Sequence, residues 1–112
     1  MTGEARQQLS EEQPVSLREM VSYQEGSIVS RMLINKPSGT VTLFSFDQGE
    51  GLSEHSAPYD AMLINLEGEV EVIIGGKART VKGGEMIIMP ARIPHAVKAL
   101  TRFMMVLVMI HE

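Results

Sequence analysis

The chain has 112 residues, is 44% hydrophobic and contains no cysteine, which predicts one domain with one modest core and excludes disulfides and thiolate metal sites. Ten basic against fourteen acidic side chains leave a net charge of −4, and the scattered basic residues with three Phe, two Tyr and no Trp argue against nucleic acid as a partner. No apolar run approaches the roughly 20 residues of a membrane helix. The polar start MTGEARQQLSEEQP lacks the apolar stretch of a secretory leader, so a cytoplasmic chain with no membrane partner is expected.

Residues 1–15 read as a flexible N-terminal tail, with a single folded domain over 16–112. Ser16-Leu17-Arg18-Glu19 has the form of a capping box and predicts a short helix over about Leu17–Ser22, closed off by Gly26. From Ser27 onward the pattern is of strands and turns. Ser27–Ile34 is β-branched and apolar, Asn35-Lys36-Pro37-Ser38-Gly39 is a turn cluster, and Thr40–Phe46 alternates as a half-buried strand does. After a glycine-containing loop over Asp47–Gly51, Ala61–Leu66 and Glu69–Ile74 flank Glu67-Gly68. Gly75-Gly76 then turns the chain into Lys77–Val81, because both central positions of such a hairpin can take positive φ. Glu85–Met89, His95–Leu100 and Phe103–Ile110 complete the series. Glu67, Glu69 and Glu71 read as a solvated, charged edge.

Many short strands with close turns predict an all-β sandwich or barrel. Several strands are apolar on both faces: Met62, Ile64 and Leu66 on one side of theirs, Ala61 and Leu63 on the other. Such strands need two covers. One is the interior; the other is an opposing sheet edge, the N-terminal segment or a second subunit, and a homodimer is predicted. The chain has nine Met, most of them in strand-like runs, where core filling is the simpler role and a deformable pocket lining the sharper one.

The order of these elements resembles that of the small single-domain cupins. Their first motif is Gly, five residues, His-x-His, three or four residues, Glu, six residues, Gly; here Gly49, His55, Ala57, Ala61 and Gly68 fall on those positions. The second is Gly, five residues, Pro-x-Gly, two residues, His, three residues, Asn; here they are Gly84, Pro90, Arg92, His95 and Ala99. The resemblance covers about residues 27–110 and implies a double-stranded β-helix, or jelly-roll, barrel. It also implies that His55 and His95 remain from a four-ligand metal set whose other positions, Ala57 and Ala61, carry no donor.

If the strand is regular, His55, Ala57, Tyr59, Ala61 and Leu63 share a face, which by resemblance lines the barrel, with Asn65 near its far end and Asp60 pointing away. These residues and His95 make a candidate ligand pocket. Three readings follow. In the first, a small-molecule-binding cupin of unassigned activity uses His55 and His95 to hold an anionic or carbonyl ligand, or as acid and base. In the second, the two histidines hold a divalent ion (zinc, iron, manganese or nickel) weakly, in a metal-dependent isomerase, lyase or dioxygenase acting on a small sugar or carbonyl compound. In the third, both are satisfied core histidines. Within the first, binding alone requires fewer assumptions than catalysis.

Overall fold

The computed structural model describes residues 11–111. The tail expected over 1–15 therefore falls mostly outside the described residues; within it, Val15 packs against the protein. A helix over Leu17–Ser22 does not form. A single 3-10 turn, Leu17–Glu19, takes its place, and Ser16 makes no side-chain cap bond. The turn closes through main-chain bonds from Glu19 to Ser16 (3.1 Å) and from Met20 to Leu17 (3.1 Å). The chain leaves helical geometry there because Met20 and Val21 are drawn fully into a core, each burial worth about 1.5–3 kcal/mol.

Nine strands follow among the described residues: β1 (Ile28–Lys36), β2 (Gly39–Phe46), β3 (Gly51–His55), β4 (Asp60–Glu67), β5 (Glu69–Ile74), β6 (Lys77–Lys82), β7 (Met86–Met89), β8 (His95–Ala99) and β9 (Phe103–Ile110). They form two antiparallel sheets ordered β1-β2-β9-β4-β7 and β3-β8-β5-β6, a jelly-roll arrangement. The strand β3 falls in a stretch whose polar sequence, GLSEH, gave no alternation to read. Gly75-Gly76 makes its hairpin turn with φ of 56° and 82°, as the I′ geometry requires.

Glu67-Gly68-Glu69 is not a hairpin within one sheet. The chain there crosses from the larger sheet to the smaller one. Gly68 has φ 85°, and a Cβ on it would lie 2.1 Å from the carbonyl oxygen of Arg102; only glycine fits so close a crossing. Nor is Glu67 simply a solvated edge: it accepts a hydrogen bond from the Tyr23 hydroxyl and pairs with Arg18. Burial first, then that bond, pushes the Tyr23 hydroxyl pKa well above its ordinary value.

Two cores result. Between the sheets lie Phe46, Leu63, Val70, Val72, Phe103 and Met105. On the outer face of the larger sheet, Met20 and Val21 pack on Leu43, Met104 and Val106. The N-terminal segment thus supplies part of the second cover that strands apolar on both faces demand, and the Ser45 hydroxyl beneath it donates to the Ser22 carbonyl at 2.9 Å. Of the methionines, Met20, Met89, Met104 and Met105 are buried as core filling, while Met32 and Met86 are exposed.

Asn65 is wholly buried at the far end of β4. Its amide donates to the carbonyls of Gly68 (3.0 Å) and Val81 (2.9 Å), pinning the crossing to β6, while its Oδ1 has no partner. Asn65→Ala would leave both carbonyls without that donor. A stability loss of about 2–3 kcal/mol in urea unfolding is expected, with the urea dependence unchanged.

Candidate functional site

His55 closes β3 and His95 opens β8, and the two residues are direct partners across the ladder. Directly opposed residues share a face. Leu52 also faces the interior, packed on the core between the sheets. His55 is three positions after Leu52, which in a regular strand would put them on opposite faces. The register shift between them, matching Leu52 to Val97 and His55 to His95, inserts one extra residue in β3. That β-bulge turns His55 inward, beside the imidazole it must meet.

The rings meet edge to face with centroids 4.4 Å apart. His95 is 6% exposed, whereas His55 is open to solvent. Each Nδ1 contacts the carbonyl oxygen two residues earlier: His55 that of Ser53 at 2.8 Å, His95 that of Ile93 at 3.2 Å. A carbonyl can only accept, so each Nδ1 donates, and in the neutral ring Nε2 is the atom with the lone pair. Neither Nε2 has a hydrogen-bond partner among the described residues. Burial holds the His95 pKa below its ordinary value, aided by the neighbouring His55 and opposed by the bond to Ile93. The fixed tautomers and the two carbonyls that set them lie outside what residue spacing could reveal.

The loops leading to the two histidines are tied together. Arg92 N donates to the Ala57 carbonyl at 2.7 Å, and Ala91 N to Asp60 Oδ1 at 2.8 Å. Arg92 occupies the motif's glycine position and keeps a glycine-like φ of 68°, a conformation that costs a side-chain-bearing residue about 1–2 kcal/mol.

The six residues expected to line a pocket are placed as follows. His55 and His95 are in contact. Ala57 and Tyr59 lie in the loop between β3 and β4, so the single regular strand expected from 55 to 63 is interrupted. Ala61 and Leu63 are buried in the core between the sheets. Tyr59 stacks on His111, with ring centroids 4.1 Å apart. Asp60 lies on the outer side, where it lines a groove of about 220 Å³ with Met62, Ile88, Val108 and Ile110.

The resident metal of many barrels of this type needs more donors than the two imidazoles. Among the described residues, no group of three His, Cys, Asp or Glu side chains could hold an ion, whereas catalytic zinc usually keeps three protein ligands. The donor set does not fit a closed metal site.

Two antiparallel sheets in jelly-roll order, with histidines paired across the adjacent strands β3 and β8 of the smaller sheet, define a double-stranded β-helix barrel. Residues 42–111 match the cupin domain family, and the chain belongs to it. It is similar in structure to a conserved protein of unknown function from Streptococcus pyogenes, at 33% identity over 95% of this chain and 93% of that one, with a TM-score of 0.89. A cupin 2 conserved barrel domain protein from Leptotrichia buccalis is 45% identical over 82% of this chain, with a TM-score of 0.79; this chain accounts for 45% of that one. A cupin superfamily protein from Desulfitobacterium hafniense, 24% identical over 95% of this chain and 97% of its own, with a TM-score of 0.87, shares the fold. No curated protein matches the chain. Among the described residues, no helix is long and apolar enough to cross a membrane.

His95 makes stability depend on pH. Its folded pKa lies below the ordinary 6.5, so as pH falls through that value the unfolded chain takes up a proton that the folded one refuses. Stability is therefore full above about pH 7, falls as pH drops through about 6.5, and levels off once folded His95 itself titrates. His55 on β3 and Lys77 two strands away are the titratable groups in its row. Urea midpoints across this range should show the slope in the wild type and a flatter profile in His95→Gln.

Proposed function

We propose that the chain is a small-molecule-binding cupin whose ligand sits against His55 and His95. One observation carries this reading: both Nδ1 atoms are committed to main-chain carbonyls, leaving two unpartnered Nε2 lone pairs on touching rings at the end of the barrel. Such a pair accepts hydrogen bonds from hydroxyl groups, which favours a small hydroxylated carbonyl compound or sugar. Either imidazole is also equipped to take a proton from such a ligand. The bulge at Ser53-Glu54 supports the reading, because bulges recur where a side chain is re-aimed toward a site.

The metal-dependent alternative, an isomerase, lyase or dioxygenase, has the same two imidazoles in its favour and lacks the remaining donors. Metal analysis of the purified protein, with His55→Ala and His95→Ala beside it, decides between them. Well under one equivalent of zinc, iron, manganese or nickel is expected in all three. Near-stoichiometric metal in the wild type, lost in both variants, would overturn the metal-free reading. In the wild-type sample, imidazole proton shifts of His55 and His95 on titration with a set of small sugars and hydroxy-ketones should report binding; silence across the set would overturn the binding reading.

We propose further that the protein acts in the cytoplasm as a homodimer. The absence of cysteine suits a reducing compartment. For the dimer, the support is a row on the outer face of the larger sheet. Ile34, Val41, Val108, Met62 and Ile88 are successive ladder partners across all five strands. The N-terminal segment covers the neighbouring rows, but Ile34, Ile88 and Ile110 stay about half exposed. A second copy brings an identical apolar row. Light scattering should give a dimer at about 10 μM and a monomer for Ile88→Lys; a monomeric wild type would sink the proposal.

A further inference from the structure

The two sheets end in strands that are not bonded to each other: β6 closes the smaller sheet and β7 the larger. These strands are consecutive, joined at one end through Gly83-Gly84-Glu85, and between their other ends lies a slot of about 280 Å³. Its lining is Ile74, Lys77, Arg79, Ile87, Ile88 and Pro90.

The ladder explains why two cations stand there. Lys77 is the direct partner of Ile74, and Arg79 of Val72. Ile74 and Val72 both pack on the core between the sheets, so Lys77 and Arg79 lie on that same inner face. Neither has a carboxylate partner among the described residues; Arg79 bonds only to the neighbouring carbonyl of Ala78, at 3.1 Å. In a chain of net charge −4, two unpaired cations are thus placed together at the rim of an apolar slot. Inward-pointing charge can protect a sheet edge from unwanted pairing. Edge protection, however, calls for charge alone. Here the charges flank a cavity floored by Ile74, Ile87 and Pro90, with no acidic residue in its lining.

We propose that this slot binds a small organic carboxylate: the apolar body enters between β6 and β7 and the carboxylate is held by Arg79 and Lys77. The guanidinium fork matches a carboxylate's two oxygens, and the ammonium adds a point charge. The site is distinct from the histidine pair. Ile74 is the ladder partner of both His95 and Lys77, but no histidine lines the slot. Neither proposal depends on the other.

Amide-detected NMR titration of the full chain with hexanoate tests it, with hexan-1-ol and inorganic phosphate as the two halves of the ligand. Hexanoate should shift the amides of Ile74, Lys77, Arg79 and Ile87 with a Kd of about 1 mM, and each half-ligand should bind about tenfold more weakly. Arg79→Gln and Lys77→Gln are exposed changes that leave the core intact; each should weaken hexanoate about tenfold, while His55→Ala should not. The proposal is overturned by no shift at about 10 mM, by hexanoate binding no better than hexan-1-ol or phosphate, or by undiminished binding in both glutamine variants. Shifts confined to the two histidines would overturn it too, while leaving the histidine site standing.

Discussion

The strand Phe103–Ile110 reads FMMVLVMI, with no polar residue at any position. It lies at the centre of the larger sheet, bonded to β2 on one side and β4 on the other. A strand apolar on both faces is stable only if both are taken from water, and much of the molecule follows from that demand. Phe103 and Met105 face the smaller sheet; Met104 and Val106 face outward and take Met20 and Val21 as cover. The covering segment must then be held in place. Ser45 bonds Ser22, Tyr23 and Arg18 converge on Glu67, and Arg102 lies 5.4 Å over the Tyr23 ring while donating to Asp47 at 2.8 Å. Asp47 also accepts from Gly26 N at 2.7 Å, and the Arg102 guanidinium with that amide holds its carboxyl below the usual carboxylate range. Polar residues on an otherwise apolar face mark where the segment is fastened.

The same strand anchors the site at a distance. The chain crosses between sheets where Gly68 meets Arg102 and Phe103, and Asn65 fixes that crossing to β6. From the crossing, β5 runs back as the partner of β8, and β8 sets His95 against β3. An error in the placement of β9 would reach the histidines through the register of two ladders.

Alternation and turn residues make most strands legible from sequence, since a half-buried strand must alternate and Gly75-Gly76 can hardly be anything but a hairpin turn. What fails is instructive. The strand Gly51–His55 is short, polar and bulged, so it shows neither alternation nor an apolar run. The S-x-x-E pattern at Ser16 is a local helix signal, overruled by the gain from burying Met20 and Val21. Glu67, Glu69 and Glu71 look alike in sequence, yet tertiary contacts separate Glu67 from the others. For the site, motif spacing singles out His55 and His95, but the regular-strand argument that puts His55 on one face with Ala57, Tyr59, Ala61 and Leu63 does not hold, because β3 ends at His55 and Ala57 and Tyr59 lie in a loop. A bulge brings His55 inward instead. Arg92 shows the complementary case: the residue differs from the motif while the backbone keeps the glycine's conformation.

Along the inner face of the smaller sheet, His55, His95, Ile74 and Lys77 form one row across its four strands, with Leu52, Val97, Val72 and Arg79 behind it. Neither row contains a carboxylate. At the positions where the family's motif would put a histidine and a glutamate, this chain has Ala57 and Ala61. A carboxylate there would stabilise an imidazolium; without one, burial and then the neighbouring His55 hold the His95 pKa below its ordinary value. In these two rows the only charged side chains besides the imidazoles are Lys77 and Arg79, both positive.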